Sequence, residues 1–139
     1  MIHHRFRTLC LLLICPLIAL AMTSCGASTP AARVQIERII LLTPEAQIGA
    51  NVTPEQLASF IRAAQAQIEQ TVAGDHQAMR LIAQFTLQPR AAHIVQITHA
   101  EGADSAQIRH LVAALRLVQP LYPRREPVLF QVKFAVRAS

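Results

Sequence analysis

From Val128 to Val136 the chain alternates without a break. Val128, Phe130, Val132, Phe134 and Val136 fall on one side of an extended strand, with Leu129, Gln131, Lys133 and Ala135 on the other. Large apolar side chains along one face of a strand need a second layer to cover them. Met79, Leu81, Ala83, Phe85 and Leu87 repeat the pattern against Arg80, Ile82, Gln84, Thr86 and Gln88, which predicts another half-buried strand. Pro89-Arg90-Ala91 predicts a turn and His93 to Thr98 a partner strand, so this region reads as a hairpin. Upstream, Val34, Ile36, Ile39, Ile40, Leu41 and Leu42 form an apolar, largely β-branched run suited to a first strand. Thr43-Pro44 ends that strand, and Gly49-Ala50-Asn51 predicts a loop.

The covering layer is helical. Thr53-Pro54-Glu55-Gln56 carries a capping residue, a proline suited to the first helical position and a Gln three residues after the cap. Leu57, Phe60, Ile61, Ala64, Ile68 and Val72 then recur at helical spacing, with Gly74 as the expected stop. Glu101-Gly102-Ala103 breaks the chain, and Asp104 to Gln107 is a second cap-like start. Ile108, Leu111, Val112, Leu115 and Val118 follow as a second amphipathic helix. Pro120, Pro123 and Pro127 punctuate the connection to the last strand. The order strand, helix, strand, strand, helix, strand predicts an α+β fold: a βαββαβ two-layer domain with two helices packed on a mostly antiparallel sheet.

Residues 1–24 stand outside this pattern. Arg5 and Arg7 precede an apolar run from Leu9 to Met22, interrupted by Pro16. The run is about fourteen residues, the length of a signal-peptide core and short of the roughly 20 that cross a bilayer as a helix. Ala21-Met22-Thr23-Ser24-Cys25-Gly26 resembles the lipobox of bacterial lipoproteins, with Met22 where Leu is commoner. The resemblance implies that Cys25 receives a diacylglycerol, that cleavage occurs before it, and that its new amine is acylated. Cys10 and Cys15 would leave with the signal peptide, so the mature chain could form no internal disulfide. A lone thiol is unusual in an oxidising compartment, and lipidation of Cys25 removes the anomaly. Several acyl chains give stable anchoring where one gives only marginal binding. Gly26 rather than Asp after Cys25 implies, by resemblance to lipoprotein sorting, an outer-membrane location facing the periplasm. Residues 25–32 then form a short tether and residues 33–139 a single α+β periplasmic domain.

The mature chain of about 115 residues is long enough to bury a core without disulfides or metal. Without Arg5 and Arg7 it carries 11 basic residues against 8 acidic ones, spread singly except at Arg124-Arg125. No basic stripe with stacking aromatics appears, and Trp is absent, so nucleic acid is not an expected partner. Arg124 and Arg125 either meet an acidic partner or are simply solvated.

The stretch from about Leu57 to Val136 resembles the carboxy-terminal domain of TonB and TolA. The resemblance lies in the Ile61-Arg62-Ala63-Ala64 to Ile68-Glu69 helix, the hairpin with its Pro-containing turn, the acidic-Gly loop into the helix from Asp104 to Leu117, and Pro127 to Phe134. The amino-terminal periplasmic domain of secretins shares this architecture, as does the lipoprotein DotD, which places such a domain behind a lipobox. The chain lacks the long periplasm-spanning segment of TonB and TolA, so the resemblance implies a scaffold or accessory subunit rather than an energy transducer.

The chemistry-bearing residues do not assemble into a motif. His93 and His99 are expected on one strand face but six residues apart, roughly 20 Å, too far to share a metal. His76, His93, His99 and His110 are expected at the surface or half-buried, and no spacing suits zinc. Ser105 lacks a nucleophile-elbow glycine pattern, and Asp104 is better explained as a helix cap. Asn51-Val52-Thr53 matches a glycosylation sequon, although Thr53 has a capping role. No catalytic residue, metal or cofactor is expected. The expected partners are the membrane, through lipid on Cys25, and cell-envelope proteins bound by strand addition to an exposed sheet edge. That edge is either the first strand (Val34 to Leu42) or the last (Val128 to Val136), with Lys133 as a guard in the second case. Two functions follow: a scaffold or accessory subunit of an envelope machine of secretion or conjugation type, or a stand-alone accessory lipoprotein acting as adaptor, inhibitor or chaperone. An enzyme or small-ligand binder would need a deep pocket with convergent polar groups.

Overall fold

The computed structural model describes residues 33–139; the expected signal peptide (1–24), the expected tether (25–32) and Cys25 lie outside the described residues. The elements run β1 (Val34–Leu41), α1 (Glu45–Asn51), α2 (Pro54–Thr71), β2 (Met79–Gln88), β3 (Ala91–Glu101), α3 (Ser105–Arg116) and β4 (Val128–Val136). The four strands form one sheet in the order β1-β4-β2-β3, with every neighbouring pair antiparallel. This is the α+β arrangement that the alternating and helical patterns call for.

Both expected helix starts are capping boxes. Gln56 N–H donates to Thr53 Oγ1 at 3.2 Å while Thr53 N–H donates to Gln56 Oε1 at 2.9 Å. Gln107 N–H donates to Asp104 Oδ1 at 2.8 Å, and Asp104 N–H to Gln107 Oε1 at 2.9 Å. Each box satisfies amides that the first helical turn would otherwise leave unpaired. The helices cover one sheet face. Phe60, Ile61, Ala64 and Ile68 of α2 and Leu111 and Leu115 of α3 are buried there against Leu81, Phe85, Phe130 and Phe134. Phe60 meets Phe85 edge-on with ring centroids 5.4 Å apart, and Phe85 stacks on Phe130 at 5.3 Å, both favourable aromatic geometries.

Four expectations are corrected. Gly49-Ala50-Asn51 is the end of a third helix, α1, not a loop. Gly74 is not a left-handed cap: α2 ends at Thr71 with Val72 as its cap, and the positive-φ glycine of the described chain is Gly102. The last strand is central, paired on both sides, so it is no edge, and Lys133 guards nothing; it forms an ion pair with Glu37 at 3.0 Å. Finally, His93 and His99 lie on opposite faces. His99 pairs with Ile82 while Ile97 pairs with Ala83, so Thr98 is an extra residue that turns the strand over between them.

Candidate protein-binding edge

The two free edges of the sheet are β1 and β3, and they differ. The register of β3 against β2 shifts twice, between Ile82 and Ala83 and between Thr86 and Gln88. Bulges twist an edge and disfavour addition of another strand. The β1 edge has a single shift, at Glu37, which divides it into two halves.

The first half is covered at Val34. Arg137 N–H donates to the Arg33 carbonyl at 2.9 Å, which by the alternation of an antiparallel ladder points the main-chain groups of Val34 away from β4. Helix α2 reaches both of them. Val34 N–H donates to Glu69 Oε1 at 3.2 Å, and Gln65 Nε2 donates to the Val34 carbonyl at 2.7 Å.

The second half is open. Leu42 N–H donates to the Leu129 carbonyl at 3.1 Å. The same alternation pairs Ile40 with β4 and directs the N–H and C=O groups of Ile39 and Leu41 outward. Ile39 and Leu41 register with Val132 and Phe130 on the helix-bearing face, yet they stay 44% and 43% exposed, and Leu42 is 46% exposed. Outward main-chain groups beside exposed aliphatic side chains are what an added strand uses: ladder hydrogen bonds for affinity, side-chain contacts for selectivity.

The other residues singled out in the sequence do not converge. His76 Nδ1 lies 2.7 Å from Ser139 Oγ in the loop before β2. His93, expected at the surface or half-buried, is instead buried, 5% exposed beneath the helices, with Nε2 2.9 Å from the Leu115 carbonyl and its ring edge-on to Phe60. Its Nδ1 has no protein partner among the described residues. His99 is on the open face, 3.0 Å from Glu101, and holds that carboxyl below its ordinary value, first by hydrogen bonding and then by charge. His110 is exposed on α3, and Ser105 is that helix's first residue. Asn51 is buried, with Nδ2 donating to the Gln47 carbonyl at 2.8 Å, so the sequon side chain has an internal role. A depression of about 580 Å³ is lined by Glu37, Arg80, Glu101 and Arg137 on the open face. Glu37 there is bridged to Lys133 and, at 3.7 Å, to Arg80. No group of three or more candidate ligands for a metal ion occurs among the described residues.

Set beside known proteins, the chain matches no protein-family model, no curated protein and no solved structure.

Proposed function

We propose that this protein is a lipid-anchored lipoprotein of the bacterial cell envelope that binds a partner protein along the Ile39–Leu42 edge of β1. In this reading it is a non-catalytic scaffold or accessory subunit of a multi-subunit envelope machine of secretion or conjugation type. One observation carries the binding part: the outer half of β1 pairs with β4 on one side only and carries exposed Ile39 and Leu41 on its free side, while the inner half is capped at Val34 by Gln65 and Glu69. An apolar open edge is a hazard in an isolated protein and a docking surface in an assembled one.

The anchoring part is supported by the sequence Ala21 to Gly26 and the charged, apolar stretch before it. Residues 25–32 span at most about 28 Å when fully extended, which would hold the start of β1 close to the bilayer. The test is affinity purification of a tagged full chain from its own cells in mild detergent, with mass spectrometry of the bound proteins and of the amino terminus. The reading expects an acylated Cys25 and a fixed set of envelope proteins. An uncleaved or unacylated terminus removes the anchor. An acylated chain purified without partners favours the stand-alone accessory lipoprotein.

A further inference from the structure

At the end of the sheet remote from Val34, two loops bring three arginines to one groove. Arg90 stands in the β2–β3 turn, and Arg124 and Arg125 in the connection from α3 to β4. Together with Thr86, Gln88 and Pro127 they line a groove of about 530 Å³. No carboxylate lines it. Among the described residues the ion pairs are Arg80–Glu37, Lys133–Glu37 and His99–Glu101, so none of these three guanidinium groups is neutralised by a neighbour. Glu126, the next residue in the chain, is not among the groove's lining residues; it accepts from Gln47 Nε2 at 2.7 Å and lines a neighbouring depression with Arg124 and Arg125, forming an ion pair with neither.

The loop is fixed, not loose. Arg124 N–H donates to the Asn51 carbonyl at 3.1 Å, and the N–H groups of Arg125 and Glu126 both donate to Asn51 Oδ1 at 2.9 Å. Pro123 is buried before the arginines, and Pro127 follows them. A held backbone lowers the entropy lost when a ligand is bound. Arginine presents a rigid fork suited to carboxylates, and arginines are enriched among the residues that dominate protein interfaces. Like charges held together without compensating acids are also unfavourable until an anion arrives.

We infer that this groove is a second docking site, for an acidic polypeptide segment of a partner, with Arg90, Arg124 and Arg125 each receiving a carboxylate. The charge of the groove selects an anion. The choice of a polypeptide over lipid headgroups rests on the anchored reading above: a tether entering at Val34 turns this end away from its own bilayer. Binding at the groove does not itself depend on acylation of Cys25, so the two readings fail separately.

The test is fluorescence anisotropy of a labelled hexaglutamate peptide with the purified full chain in detergent, against labelled hexalysine. Hexaglutamate is expected to bind, more weakly as salt rises, and hexalysine not to bind. The triple variant Arg90→Gln/Arg124→Gln/Arg125→Gln is expected to lose at least tenfold in affinity, and Arg62→Gln, on exposed α2 surface, to lose nothing. All four side chains are exposed, so the fold should persist. Absence of hexaglutamate binding, or equal affinity in the triple variant, would overturn the site. So would binding to phosphatidylglycerol vesicles that the triple substitution abolishes while hexaglutamate binding is unchanged.

Discussion

Asn51 and Arg125 are joined across 74 residues by a 2.9 Å hydrogen bond from the Arg125 main-chain N–H to the Asn51 side-chain oxygen. The same oxygen accepts from Glu126, and the Asn51 carbonyl accepts from Arg124. One buried amide thus ties the end of α1 to the loop that enters the central strand. Asn51→Ala should leave two loop amides without their acceptor and cost about 2–3 kcal/mol in urea unfolding. It should also weaken hexaglutamate binding, because the arginines lose their support. A variant as stable as the wild type would show that water replaces the bonds at no cost.

His93 is tested by comparing two substitutions. His93→Ala removes a buried ring that packs against Phe60 and bonds the Leu115 carbonyl, and should cost about 2–4 kcal/mol. His93→Phe restores an aromatic ring but not the bond, and should cost about 1 kcal/mol. Equal losses in chemical denaturation would mean that the bond, not the packing, accounts for the effect.

The glycines divide by geometry. Gly102 has φ +74°, and a Cβ there would stand 2.5 Å from the Ala78 carbonyl oxygen, a backbone atom that cannot swing away. Gly102→Ala should destabilise by about 2 kcal/mol or more. Gly49 lies inside α1 with nothing within 4 Å of an added Cβ. Gly49→Ala should stabilise by about 0.5–1 kcal/mol. Thermal unfolding of the two variants should therefore shift in opposite directions.

Glu101 gives a pH-dependent readout. Its folded pKa is lowered by His99, so its contribution to stability is present above the ordinary carboxylate range and is lost as pH falls through the folded value. An NMR titration of the Glu101 carboxyl should show its midpoint move upward in His99→Gln. An unchanged midpoint would show that the 3.0 Å pair is not maintained in solution.

The sequence was most informative where one periodicity holds over a whole element. The alternation of Val128 to Val136 matches a burial pattern in which Val128 and every second residue after it are buried, and the Thr53/Gln56 and Asp104/Gln107 spacings match the two capping boxes. Alternation reports the two faces of a strand but not its neighbours, which is why β4 could be read as an edge although it is central. Counting by two also fails at a bulge: Thr98 inserts one residue and sends His99 to the face opposite His93. Helix α1 escaped because it is only seven residues long, contains Gly49, and buries just Ile48 and Asn51. Its position is set by contacts with the distant 124–126 loop, which no local pattern records. The three-arginine groove was half visible: Arg124-Arg125 stood out as a cluster, but only folding brings Arg90 beside them. Cys25 remains a reading of sequence alone, outside the described residues.

The edge claim has a direct test. A tagged full chain and its Ile39→Lys/Leu41→Lys variant would be extracted from cells in mild detergent and compared by size-exclusion chromatography. Lysine at an exposed edge discourages strand addition without removing a ladder bond, and both positions are nearly half exposed, so circular dichroism should show the same fold. The account predicts that the wild type elutes within a larger assembly and the variant near the size of the free chain. Elution of both within the same assembly, or of the wild type alone, would contradict it.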